Sequence, residues 1–473
     1  MAFFDNDDDD ESSEEKPNIH LFENFYKNGE YVFFTVDQWE ACYNYYLYDC
    51  NKVDYKILDF IIVEALAQHN YSVFFALRAA ELLSRQNRFK ESMEKVSHAM
   101  TLSPSDFEVY ECAAHIYEHF KKYEIAIKYY KLAAQKGADG FDIRFQLALC
   151  YLNCNKRETA LKYFTQLTVM QPKNEFVLDH IAIIVFDEEW FAQGKQIFEN
   201  VIDNHPYSES AWHYLGNCFL AMDDIVNAIW AQEMVIAINE DSYIGYFGLA
   251  NCLQENEDYV KAIEQYHFLM TQYGSDTNLY CNMAYCYEKL EHFEKARKYY
   301  RKSIAMDAKC AQAWHGIGMT LLAEDKIKET LYFFKTAYKF DKHQNSQFGL
   351  SLAAAYMDND EMEKAQKIFE KLLTVFPEDF EVWLDYSMLY SEQKNYERAL
   401  DLLQTALFYL PDCHQINYRI AAILIKMKKN EHAVAFLEKG LKKNFSDHDL
   451  IYIFEPKFKK HKELQMIIKN YKK

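Results

Sequence analysis

Cys112, His115 and His119, in the stretch CAAHIYEH, are the best candidates in this chain for holding a metal ion. On a helix the three fall along one face. His115 and His119 are one turn apart, a spacing at which two imidazoles can bite one cation. No fourth ligand lies nearby in sequence, and histidine pairs on an open helix face are more often plain surface residues. No metal and no cofactor are therefore expected. Cys150/Cys154 and Cys281/Cys286 lack the C-x-x-C spacing of a zinc site. The chain contains no G-x-x-x-x-G-K-[ST] phosphate loop, no H-E-x-x-H zinc helix and no G-x-S-x-G nucleophile turn. Gly316 and Gly318 form a G-x-G, but both are expected to be small packing positions on a helix. No catalytic constellation emerges, and the chain is not expected to be an enzyme.

Whatever these side chains do is set by the helices that carry them, and a fixed period organises those helices. Trp212, Leu215, Gly216 and Phe219 are followed on a second helix by Ala228. Thirty-four residues on, Tyr246, Leu249, Ala250, Leu253 and Ala262 take the same places. Tyr280, Met283, Ala284, Tyr287 and Ala296 follow, then Trp314, Ile317, Gly318 and Leu321. Such a period is the mark of a stacked repeat. Pro104, Pro172 and Pro206 keep the same phase, and so do Pro377 and Pro411 once one residue is inserted. Trp212, Trp314 and Trp383 require the same insertion, which places it in the loop Asp341–Ser346. Two antiparallel helices approach to about 8–10 Å only where the crossing residue is small. Ala80, Ala114, Ala148, Ala182, Ala353, Ser387 and Ala421 share the phase of Gly216, Ala250, Ala284 and Gly318. Hairpins are expected to start near Val73, Phe107, Phe141, Glu175, Glu209, Tyr243, Thr277, Ala311, Ser346, Phe380 and His414. A degenerate one, Trp39 to Ser72, has Tyr46 and Leu58 where small residues belong.

The pattern of large, large, small and large residues, then a small residue and an aromatic on the second helix, resembles the tetratricopeptide repeat (TPR). The likeness is to long scaffolds of the bacterial, cytoplasmic type. It implies an all-α, right-handed solenoid of about twelve helical hairpins with capping helices at both ends. It also implies a concave wall built from the first helix of each repeat. The inward positions of that family fall here on Ser210, His213 and Asn217; on Phe247, Asn251 and Gln254; on Asn278, Cys281, Asn282, Tyr285 and Glu288; and on Gln312, His315 and Met319. Toward the amino terminus they are acidic, Glu108, Glu111, Glu118, Asp142 and Asp179, a surface suited to a basic segment. Toward the carboxy terminus they are apolar, Leu350, Met357, Leu384 and Met388. Amides carry both a donor and an acceptor, so they suit the backbone of an extended peptide. TPR clamps for a terminal carboxylate use lysine and arginine, which these positions lack. The partners expected are other proteins, gripped by peptide segments in the groove.

The formal net charge of −20 argues against nucleic acid, whose affinity rests on cations neutralising phosphates. The RNA-binding pentatricopeptide repeats have a similar period but need a basic inner surface. No run of eighteen apolar residues occurs, so membrane insertion is not expected. The first residues, MAFFDNDDDDE, lack the basic start and apolar run of a secretory signal. Eleven cysteines without a paired framework fit reduced thiols and a cytoplasmic home. The domain reading is a disordered acidic tail over 1–18, a cap over 19–72, eleven repeats over 73–447 and basic capping helices over 448–473. An acidic head, Asp5–Glu15, and a basic tail from Lys457 to Lys473 also raise a second reading, a self-associating assembly element.

Overall fold

The computed structural model describes residues 16–49, 54–138, 140–342 and 344–471. The acidic stretch Asp5–Glu15 and the last two lysines lie outside these. Among the described residues every regular element is a helix. The eleven first helices begin at Val73, Phe107, Phe141, Glu175, Glu209, Tyr243, Thr277, Ala311, Ser346, Phe380 and His414. Each of the eleven in-phase small residues, from Ala80 to Ala421, is buried. Facing them on the second helices, Ala126, Ala160, Ala228, Ala262, Ala296, Ala365, Ala399 and Ala433 are fully buried. Ser92, Gly194 and Thr330 complete that row. A Cβ on Gly318 would lie 2.4 Å from the Phe334 ring, which leaves no space for one.

Sequence chemistry also sets the ends of the helices. Ser72, Asp106, Ser208, Ser242, Asp276, Asn345 and Asp379 cap first helices by accepting a backbone N–H. Each first helix closes in a left-handed residue, in phase from Asn87 through Glu189 to Lys428. The paired hydrogen bonds are those of a Schellman turn, as in Asn87 N–H to Ser84 O and Arg88 N–H to Leu83 O. None of these eleven residues is glycine. The shared phase of proline and tryptophan also has a cause. Trp212 Nε1 donates to the Pro206 carbonyl and Trp383 Nε1 to the Pro377 carbonyl, both at 2.8 Å. Trp314 and Tyr110 make the same bond to Ala308 and Pro104.

The inserted residue lies where the two series place it. The helix Ile327–Asp341 has 15 residues where other second helices have 13 or 14. Lys342 then turns left-handed, and the Asp341 carboxylate accepts the N–H groups of Gln344 and Asn345 at 2.8 Å.

The chain divides into two compact units, Met1–Glu240 and Asp241–Lys473. In the first, the helix Lys16–Asn28 and an extended aromatic stretch precede the hairpin formed by Val36–Asn44 and Tyr55–Gln68. Tyr46 lies in a π-helical turn, Tyr45–Asp49, where a small residue is missing. Gln68 accepts from both Trp39 Nε1 and the Phe34 N–H and donates to the Val32 carbonyl, fastening the aromatic stretch. Five hairpins follow, from Val73 to Glu209.

The second unit holds six hairpins and a closing segment. Within it, successive first helices also meet one another, Thr277–Lys289 on Ala311–Ala323 and Phe380–Glu392 on His414–Lys426. The closing segment is less regular than a helix pair. A 3-10 turn, Ser446–Asp449, leads into the short helix Leu450–Phe454, and Pro456–Lys460 is a second 3-10 turn before Lys462–Tyr471. His414 Nε2 holds the Asp447 carboxylate at 2.6 Å, and Pro456 has no N–H to extend the helix before it. Among the described residues no helix is long and apolar enough to cross a membrane.

Two substitutions test this account. A left-handed non-glycine residue costs about 1–2 kcal/mol, partly offset by glycine's extra unfolded-state entropy. Lys394→Gly should therefore raise stability by about 0.5–1 kcal/mol in urea unfolding. Ala262→Leu overpacks a fully buried crossing and should cost about 1–3 kcal/mol. Amide exchange should then accelerate first in the adjoining hairpins, because a stacked array loses cooperativity locally.

Candidate functional site

Behind the exposed face of each first helix stands one buried side chain of the second helix. In the amino-terminal unit it is Tyr130 in the Phe107 hairpin and Gln232 in the Glu209 hairpin; in the carboxy-terminal unit it is Tyr266 and Tyr300. These polar tips determine what the sequence-derived candidates do.

In the amino-terminal unit, Tyr130 Oη donates to Glu118 Oε2 at 2.6 Å and lies 2.9 Å from His115 Nδ1. Glu111 faces His115 Nε2 at 3.5 Å, and this hydrogen bond raises the imidazole above its ordinary pKa. Glu108 is exposed. Asp179 accepts the Tyr214 hydroxyl at 2.7 Å. In the Glu209 hairpin, Gln232 Oε1 contacts His213 Nδ1 at 3.1 Å, and Gln232 Nε2 donates to Asn217 Oδ1 at 3.3 Å. Asn217 Nδ2 lies 3.0 Å from His213 Nε2. Burial holds His213 below its usual pKa. The neutral ring can donate from Nδ1 and accept at Nε2, which completes the triangle. A Cβ at position 216 would lie 2.6 Å from the Gln232 amide, so this network requires Gly216.

In the carboxy-terminal unit, Tyr266 Oη donates to Asn251 Oδ1 at 2.7 Å, with Gln254 Oε1 at 3.3 Å. Asn282 lies near the same phenol. Phe247 stacks on Tyr243 and meets Tyr266 edge-on. Tyr285 presents its ring beside these amides, with the Lys289 ammonium 5.1 Å above it. Asn278 is exposed one turn away. Tyr300 Oη donates to Glu288 at 2.8 Å, and burial raises the Glu288 carboxyl. His315 contacts Ser351 Oγ at 2.9 Å between the rings of Phe334 and Phe348, and burial pushes its pKa down to about 4. Met319 packs, half-buried, against the carboxy-terminal core.

Beyond Met319 the same positions differ in burial, and Met388 is exposed. Leu350 and Met357 are buried. A cavity of about 440 Å³ is lined by Leu350, Ala354, Leu384 and Asp385, with Phe454 of the closing segment across from them. Burial, reinforced by Glu381, raises Asp385 to about 6.

Sequence reasoning thus named the positions but missed their buttress. Asparagine is a poor helix former, and part of its reason for being here is internal. Asn217 engages both its polar groups within the chain, and Asn251 holds a buried phenol. The signal was present in the in-phase Tyr130, Tyr266 and Tyr300. The metal candidates do not converge: Cys112 Sγ points to the Leu77 carbonyl and His119 packs on Phe120. Among the described residues no three His, Cys, Asp or Glu side chains are grouped to hold a metal ion.

Comparison with known proteins places three stretches in repeat families. Residues 363–418 and 390–451 match one tetratricopeptide repeat model, and 277–310 match another. Residues 194–222 match the protein prenyltransferase alpha subunit repeat. The human protein N-alpha-acetyltransferase 16, NatA auxiliary subunit, is 28% identical over 111 residues, covering 24% of this chain and 13% of that protein. Superkiller protein 3 of Schizosaccharomyces pombe is 22% identical over 392 residues, covering 74% of this chain and 27% of that protein. The chain thus spans only a fraction of the length of these relatives. Among solved structures, yeast Tom70 superposes with a TM-score of 0.47 at 13% identity, covering 97% of this chain and 95% of that one.

The burial of His315 has a measurable consequence. Its folded pKa of about 4 lies below the ordinary 6.5, so below pH 6.5 the unfolded chain binds a proton that the folded chain refuses. This contribution to stability is complete above pH 6.5 and is lost as pH falls toward 4. His315→Gln should lose less urea resistance than the parent between pH 7 and pH 5.

Proposed function

We propose that this chain, a tetratricopeptide-repeat protein, is a protein–protein interaction scaffold that receives extended or helical segments of other proteins on its first-helix faces. The observation that carries the reading is the tier Phe247, Asn251, Asn282 and Tyr285, braced from behind by buried Tyr266. Rings and amides fixed on rigid helices lose little freedom when a peptide binds, which is what makes a surface adhesive. Asn251 keeps an amide N–H pair and Tyr285 a ring face for that purpose. The nearby cation Lys289 packs over Tyr285, so a terminal carboxylate is not the ligand we assign.

The amino-terminal unit offers different chemistry. Glu108, Glu111, Glu118 and Asp179 make its face acidic, and a lysine- or arginine-rich segment is the partner of matching charge. The net charge of −20 disfavours nucleic acid. The human relative is by name an auxiliary subunit; for this chain our reading is a non-catalytic place within a larger cytoplasmic assembly. We assign residues 19–72 and 448–473 to caps and 73–447 to the repeats; of the tail expected over 1–18, residues 16–18 belong to the helix Lys16–Asn28 and the rest lie outside the described residues. Self-association through the acidic head and basic tail is the second reading. It predicts a mass in light scattering that depends on concentration and disappears when residues 1–15 are deleted.

The test uses side chains on the first-helix faces. Asn278→Ala with Tyr285→Ala should reduce recovery of partners from lysate roughly tenfold, as loss of a hot-spot aromatic does. Glu108→Lys with Glu111→Lys should remove a separate set of partners whose capture weakens with salt. Recovery of the same proteins at the same yield from both variants would refute the assignment.

A further inference from the structure

Cys310 stands at the N-cap of the helix Ala311–Ala323, where Ser208, Ser242 and Asp276 place an oxygen on their own helices. Its sulfur makes no cap hydrogen bond of that kind. Two groups converge on it. Cys281 Sγ, on the helix Thr277–Lys289, lies 3.6 Å away, and Ser303 Oγ lies 3.5 Å away. Ser303 also reaches Cys281 Sγ at 3.2 Å. Cys281 is fully buried, whereas Cys310 is half-buried and open to solvent.

The chain contains its own comparison. Cys413 occupies the equivalent N-cap of the helix His414–Lys426. There Leu384 and Ala406 stand where Cys281 and Ser303 stand around Cys310. Burial pushes the Cys413 thiol up, while hydrogen bonds from Cys281 and Ser303 hold Cys310 below the ordinary thiol range. Every other described cysteine is pushed up.

We propose that Cys310 and Cys281 form a peroxide-reactive thiol pair that closes to an intramolecular disulfide. The thiolate is the nucleophile. Cys310 Sγ attacks one oxygen of a hydroperoxide and the O–O bond breaks. Cys310 is left as a sulfenic acid, and the other oxygen departs, after protonation, as water or an alcohol. Cys281 Sγ then gives up its proton and attacks the Cys310 sulfur, expelling hydroxide that takes up the proton and leaves as water. Two thiols lose two electrons and the peroxide gains them. The sulfurs must close from 3.6 Å to about 2.05 Å. The new bond ties one first helix to the start of the next. The site stands apart from the scaffold reading and is tested apart from it.

The test uses the full reduced chain at pH 7. Iodoacetamide should alkylate Cys310 at least about tenfold faster than Cys413, as a stabilised thiolate reacts. After a small molar excess of hydrogen peroxide and blocking with N-ethylmaleimide, digestion should yield a peptide pair linked through Cys281 and Cys310, with Cys154 and Cys413 still blocked as thiols. In Cys281→Ser, oxidation should stop at a Cys310 sulfenic acid that dimedone traps. Absence of the linked peptide, with Cys310 alkylating no faster than Cys413, would overturn the proposal on the unmutated chain alone.

Discussion

The room available where two helices cross governs everything else in this protein. A hydrogen, a methyl group or at most a small hydroxyl side chain fits between the helices of each hairpin, and Gly318 shows how little space is left. Close approach brings the second helix near enough for its buried Tyr130, Gln232, Tyr266 and Tyr300 to reach through to the exposed face of the first. The polar character of that face is therefore a consequence of core packing. An amide there both satisfies a buried hydroxyl or amide behind it and presents its remaining groups outward.

Much of the fold was legible because the crossing rule is written in residue types that stand out. Alanine and glycine recur in phase, and tryptophan and proline agree on the position of one extra residue. The proline phase means more than helix termination, since its carbonyl receives the indole N–H of Trp212 or Trp383. Two features were hidden. The closing segment breaks into two 3-10 turns and a short helix, because His414 draws in Asp447 and Pro456 interrupts the backbone ladder. The left-handed turns carry Asn, Asp, Glu or Lys, so the usual glycine signal was absent.

The candidate face was legible as a set of positions and illegible as a set of roles. Spacing places Asn217 and Asn251 on the same face of equivalent helices, yet one is bound up with His213 and Gln232 and the other with Tyr266. The difference lies in a single residue of each second helix, far away in sequence. The thiols obey the same logic. Cys310 and Cys413 hold the same cap position, and only the neighbours supplied by another helix distinguish them.

The indole latches are unevenly distributed, and this bears on how each unit yields under load. Where Trp212, Trp314, Trp383 or Tyr110 bonds the preceding loop carbonyl, two hairpins are pinned across their junction. The Glu175 and Ser346 hairpins have Leu178 and Gly349 at that position, neither of which carries a side-chain donor. The junction before Ser346 also contains the extra residue. Each of these two junctions lacks that tie within its own unit, as does the one before Val73, where Ala76 holds the position, so these joints resist bending less than the latched ones.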